Sequence, residues 1–114
     1  MLLAPGIFGF YDPPMLIVSG SMTIHPDDLD KATALVEPLA EATRAEAGCL
    51  AYGFWIHPST SGSVHLYEEW EDQASMDAHN ASEHLATFMI SMADLRITDI
   101  SIYVHEVATT TKFM

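Results

Sequence analysis

Between Met15 and Val107 the spacing of apolar residues changes period repeatedly, and this constrains the fold more than any other feature. Met15 to Ile24 (MLIVSGSMTI) reads as a strand: Leu16, Val18, Met22 and Ile24 alternate with Ser19, Ser21 and Thr23. His25-Pro26-Asp27-Asp28 then opens a helix. Proline suits the first helical position, and the two aspartates sit at the positive end of the dipole. Leu29, Ala32, Val36, Leu39, Ala40 and Thr43 recur at three- and four-residue spacing, so the helix buries one stripe. Pro38 removes one internal hydrogen bond and is expected to bend it, and Gly48 is placed to cap its end.

Cys49 to His57 (CLAYGFWIH) reads as a second strand, with Leu50, Tyr52, Phe54 and Ile56 on one face and Ala51, Gly53 and Trp55 on the other. Apolar residues on both faces predict cover on both. A turn at Pro58 to Ser63 leads into a third strand, Val64 to Glu71, and so short a link implies an antiparallel hairpin. Here Val64, Leu66, Glu68 and Trp70 point one way, and His65, Tyr67 and Glu69 the other. A second helical region runs from Asp72 to about Leu95, with Met76, His79, Leu85, Phe88, Met89 and Met92 inward. Asn80-Ala81-Ser82 is the place where it would kink or split. Arg96 to Val107 is the last strand.

The order strand–helix–strand–strand–helix–strand predicts an α+β, ferredoxin-like split βαββαβ fold. It is a four-stranded antiparallel sheet with both helices on one face. We divide the chain into an N-terminal arm (1–14), this domain (15–107) and a C-terminal tail (108–114). Apolar residues make up 49 % of the 114-residue chain, more than one small core hides. The expected remedy is a homodimer whose sheets pack face to face.

Charge narrows the partners. Four Lys or Arg against sixteen Asp or Glu leave a net charge of −12, which repels phosphate backbones and anionic lipid. Nucleic acid and membrane are therefore not expected partners. No apolar run approaches the roughly 18–20 residues of a membrane span, and the apolar start, broken by Pro5-Gly6, lacks the basic residues of a signal peptide. The lone Cys49 rules out an internal disulfide and reads as a small apolar strand residue. A cytoplasmic protein is expected.

Two segments carry a family resemblance. Arg44-Ala45-Glu46-Ala47-Gly48-Cys49-Leu50-Ala51-Tyr52 resembles the R-x-E-x-G-C-x-x-Y segment of the antibiotic biosynthesis monooxygenase family. Glu68-Glu69-Trp70-Glu71-Asp72, followed by His79, Ser82, His84 and Phe88, resembles its E-x-W-x-D…H-x-x-S-x-H-x-x-x-F signature. The likeness spans residues 15 to 107 and is nearest the quinol monooxygenase-like subgroup of this dimeric α/β-barrel superfamily. It implies a dimer with a small apolar pocket in each subunit. It also implies oxygenation of a quinol or phenol by dioxygen with no cofactor. The superfamily's haem degraders have a haem-ligating His ten residues after the position of His79; Met89 stands there, so haem is not expected. The arm 1–14 departs from the family pattern.

Such chemistry needs a base near neutral pH, a dry slot and a donor for a developing oxyanion. Of the six His, His25 and His57 adjoin Pro26 and Pro58 as turn residues, and His65 and His105 share polar strand faces. His79 and His84 remain as the candidate catalytic bases. Against this stands the plainer reading that His79 only bonds Glu83 one turn later. Candidate substrate-binding residues are Tyr52, Phe54, Glu68, Trp70, Met76, Phe88 and Arg44. Trp70 and Tyr52 read first as core, and Arg44 and Glu46 as ties between the first helix and the sheet. Glu68 would pair with Arg44 or accept from a His. No metal is assigned, because no third ligand accompanies His79 and Glu83 in sequence. The alternatives are an isomerase or lyase on a small carbonyl compound, and a non-catalytic dimer that binds a hydrophobic ligand.

Overall fold

The alternating and helical periods become the expected elements in the order β1 (Met15–Ile24), α1 (Leu29–Arg44), β2 (Cys49–Ile56), β3 (Ser63–Trp70), α2 (Gln73–Asn80), α3 (Glu83–Ser91) and β4 (Ile97–Val107). This computed structural model describes residues 14–114, so the arm expected at 1–14 lies, apart from Pro14, outside them. The sheet order is β2-β3-β1-β4, and every neighbouring pair is antiparallel. The helices lie over β1, β2 and β3.

Local chemistry sets the helix boundaries. A short 3-10 turn at Pro26–Asp28 precedes α1, and the Asp27 amide donates to His25 Nδ1 at 3.1 Å. α1 runs on through the exposed Pro38. The second helical region is split in two. Asp72 caps α2 by accepting from the Ser75 amide at 2.8 Å, and Ser82 caps α3 by accepting from the Leu85 amide at 3.3 Å. The Ser82 hydroxyl also donates to the His79 carbonyl at 2.6 Å, which closes α2 where α3 begins.

The core fills the space between helices and sheet. Leu16, Val18, Leu39, Ala40, Tyr52, Leu66, Trp70 and Met76 form its larger part; Met22, Ile24, Ala32 and Val64 form the other. Trp70 is fully buried, and truncating it to Ala would cost about 3–5 kcal/mol.

Two bulges alter the expected faces. The register of β2 on β3 shifts between Cys49 and Ala51, so Leu50 is extruded and exposed rather than sharing the face of Tyr52. In β4 the register shifts beside Asp99, whose φ of 53° is left-handed. Beyond it Val104 pairs with Val18, so Ile100, Ile102 and Val104 lie on the helix side of the sheet. The helices do not extend over this edge strand, and Ile100 and Val104 stay more than half exposed. The far face is largely polar: Ser19 bonds His65, Tyr67 donates to Glu69, and Ser101 donates to Tyr103. The exposed apolar residues therefore gather on β4 more than on the far face that the alternation in β2 pointed to.

Candidate functional site

The site is built where the turn after α1 meets the break between α2 and α3. Gly48 makes this meeting possible. Its φ of 81° is left-handed, and a Cβ there would stand 2.0 Å from Ser75 Oγ on α2. The turn can thus press against α2, and Glu46 reaches the histidines. Glu46 Oε2 lies 2.7 Å from His79 Nδ1 and 2.7 Å from His84 Nε2.

His79 is 2 % exposed. Its ring lies against Trp70 (centroids 4.8 Å apart) and Tyr52 (5.5 Å). A carboxylate can only accept, so Nδ1 carries the proton it shares with Glu46, and Nε2 keeps the lone pair when the ring is neutral. His84 reaches the same carboxylate oxygen because the chain is broken at Ser82. An unbroken helix would turn it about 140° away from His79.

Beside His79 opens a cavity of about 920 Å³ between helices and sheet, walled mainly by apolar side chains. Of the candidate residues, Arg44, Tyr52, Phe54, Glu68, His79 and Phe88 line it. Trp70 and Met76 do not; both lie in the core, where Trp70 packs against the His79 ring. His84 instead borders a smaller groove of about 380 Å³ on the other side, with Leu35, Glu83 and Thr87.

Several expected pairings resolve differently. Glu68 pairs with neither Arg44 nor a His; its Oε1 accepts from Trp70 Nε1 at 2.7 Å, two residues along the same face. Burial raises the Glu68 carboxyl above its ordinary value, against the pull of the Trp70 hydrogen bond and of nearby His79. Arg44 Nε donates to the Tyr52 carbonyl at 3.0 Å. Burial, with Glu68 close by, also pushes the Tyr52 phenol well above its usual value, so it stays a donor at neutral pH. Exposed Glu83 is not the partner of His79, since Glu46 takes that place.

Glu46 is the residue whose role sequence reasoning missed. It was read as a tie between helix and sheet, and its only signal was its place in the R-x-E-x-G-C segment. It also supplies the third ligand that spacing alone did not reveal. One ligand atom each from Glu46, His79 and His84 lies within 4.8 Å of the others.

Known proteins fit this picture. A Deinococcus radiodurans structure named for antibiotic biosynthesis monooxygenase superposes with a TM-score of 0.79 at 25 % identity, covering 87 % of this chain and 98 % of that one. The Mycobacterium tuberculosis protein Rv0793, named as a monooxygenase, is 24 % identical over 91 residues, 80 % of this chain and 88 % of its own. An uncharacterised Synechocystis protein is 28 % identical over 108 residues, 95 % of this chain and 72 % of its own. No helix of the described residues is long and apolar enough to cross a membrane. The model of the family described as "Antibiotic biosynthesis monooxygenase" matches residues 15–89, and the chain belongs to that family.

Proposed function

We propose that the protein is a monooxygenase that oxidises a small quinol or phenol with dioxygen, using no cofactor, with His79 as the base. The observation that carries this reading is the placement of His79. It is buried, it borders an apolar cavity, and Glu46 holds its Nδ1 at 2.7 Å. That contact leaves Nε2 to take the proton of a bound hydroxyl, much as a carboxylate orients the base of a catalytic triad.

The phenolate formed gives an electron to dioxygen far more readily than the phenol does. Radical recombination then makes a carbon–oxygen bond and a peroxide. Loss of the proton on that carbon breaks the O–O bond: one oxygen stays as a carbonyl and the other leaves as water. A hydroquinone plus dioxygen thus gives a hydroxyquinone plus water. The apolar walls disfavour water beside the ring, Phe54 and Phe88 offer aromatic surface to it, and the Tyr52 hydroxyl is a donor for the oxyanion.

A second reading, an isomerase or lyase on a small carbonyl compound, is favoured by one observation. Glu68, its carboxyl raised by burial, lines the same cavity as His79, which gives an acid and a base in one site. Oxygen uptake by chelator-treated protein with menadiol, corrected for autoxidation, separates the readings. Uptake above background supports the oxygenase. Turnover of a carbonyl substrate without uptake supports the isomerase. Tight binding of an aromatic ligand without turnover leaves a binding module.

We further propose that the working unit is a homodimer in which the partner covers β4. Ile100 and Ile102 line the cavity and are exposed, so a partner seated there would also close it.

A further inference from the structure

We infer that Glu46, His79 and His84 form a site for a divalent transition-metal ion, and that the ion switches the base off. Two imidazole nitrogens and one carboxylate oxygen converge from three separate segments: the turn after α1, the last turn of α2 and the first turn of α3. These atoms all lie within 4.8 Å of one another, near enough for side-chain adjustment to bring them round one ion. Bonds of about 2.0–2.2 Å to one ion put neighbouring ligand atoms roughly 3.4 Å apart, so the present 2.7 Å contacts must open by about 0.7 Å.

The less buried ligands have room to make this adjustment. The His79 ring is fixed between Trp70 and Tyr52, whereas the Glu46 and His84 side chains are 15 % and 30 % exposed. His84 also borders the smaller groove, which gives an ion and its remaining water ligands a route that does not pass through the cavity. Two imidazoles select a borderline metal such as zinc, cobalt or ferrous iron over magnesium or calcium.

Binding exchanges protons in a fixed way. Without the ion, His79 Nδ1 and His84 Nε2 each share a proton with Glu46. To ligate, each ring must present a lone pair at that nitrogen, so its proton moves to the other one. For His79 this places a proton on Nε2, the nitrogen the base reaction requires bare. With neutral rings no proton is lost or gained overall. The ion and the base reaction are therefore mutually exclusive, which makes zinc an inhibitor rather than a cofactor.

The inhibition clause rests on the proposed function; the binding clause does not, and the test keeps them apart. Chelator-treated full-length protein is titrated with Co²⁺ alone and followed by its visible absorption bands, then with Zn²⁺ by calorimetry. The expected result is one equivalent bound, Co²⁺ bands abolished by Zn²⁺, and affinity lowered at least about 10-fold by His84→Ala and by Glu46→Gln. His57→Ala, at the exposed hairpin turn, leaves binding unchanged. Equal binding in wild type and both site variants, with circular dichroism showing them folded, overturns the site. Oxygen uptake that persists at saturating Zn²⁺ overturns the inhibition. Stoichiometric binding in a protein that takes up no oxygen leaves the site standing and removes the oxygenase reading instead.

Discussion

Glu46 Oε2 lies 2.7 Å from His79 Nδ1, which leaves Nε2 as the ring nitrogen free to act as base. The carboxylate therefore fixes the tautomer and also stabilises the imidazolium formed when Nε2 takes a proton. Glu46→Gln keeps an acceptor of the same shape but removes the charge. Turnover is expected to fall by about 10- to 100-fold with little change in KM, the usual cost of losing an orienting partner. Steady-state oxygen uptake checks this. A Gln variant with wild-type kcat would show that His79 needs no charged partner.

His79 and His84 share that carboxylate but face different spaces, and their substitutions should separate accordingly. His79→Ala is expected to lower turnover by roughly 10²-fold or more, the scale of a lost general base. His84→Ala should cost less, because His84 borders the smaller groove and is joined to the cavity residue His79 through Glu46. His57→Ala should change neither activity nor stability. A larger loss from His84→Ala than from His79→Ala would reverse the assignment of the base.

Much of this arrangement was legible in the sequence, and the remainder has identifiable physical causes. Elements and their order follow from period, because Leu16, Val18 and Trp70 have to be buried and alternation allows one solution. His79 stood out as a polar residue in an apolar stripe. The Glu46 contact was hidden because it spans 33 residues and depends on a glycine turn docking on α2. Leu50 was misplaced because a bulge shifts the face without leaving a sign in alternation. The pairing of Glu68 with Trp70 joins residues two apart on one strand face, a contact the pattern allowed but did not select over Arg44.

Glu68 supplies a prediction about stability. Its folded value is raised by burial, so the folded state favours the protonated form. Stability from this group is full below the unfolded value of about 4.3 and declines as pH rises through the folded one. Glu68→Gln still accepts from Trp70 Nε1 through its amide oxygen and carries no charge. Its Tm relative to wild type is expected to rise between pH 4 and pH 8, measured by thermal denaturation at fixed ionic strength. A gain that shrinks with rising pH would contradict the raised value.

Asp28 behaves in the opposite sense. It accepts from Arg96 at the amide, Nε and Nη2, at 2.9, 3.0 and 3.1 Å, and these bonds lower its value to about 2. The unfolded value is about 3.9, so this contribution is complete above that pH and is lost as pH falls from about 4 toward 2. The pair ties the start of α1 to the start of β4. Asp28→Asn should therefore be less stable than wild type at pH 6, with the difference cut to about a third at pH 2.5, as read from urea midpoints. A difference that persists unchanged at pH 2.5 would mean that the carboxylate charge is not what matters.

The last prediction concerns β4 and the second copy. Val104 pairs with Val18 on the helix side of the sheet, yet it is 53 % exposed because β4 lies beyond the helices. If a partner covers this strand, Val104→Asp places a charge in an apolar contact, and association should weaken by at least about 10-fold. Val104 does not line the cavity, so the substitution leaves the site's own residues in place. Wild-type protein is expected to show dimer mass in light scattering at micromolar concentration, and Val104→Asp a shift toward monomer. Because Ile100 and Ile102 border both β4 and the cavity, the monomer should also bind an aromatic ligand more weakly. A wild-type monomer would refute the dimer. A dimer untouched by Val104→Asp would move the interface off β4 to the far face of the sheet, where His65, Tyr67 and Tyr103 would have to meet their counterparts.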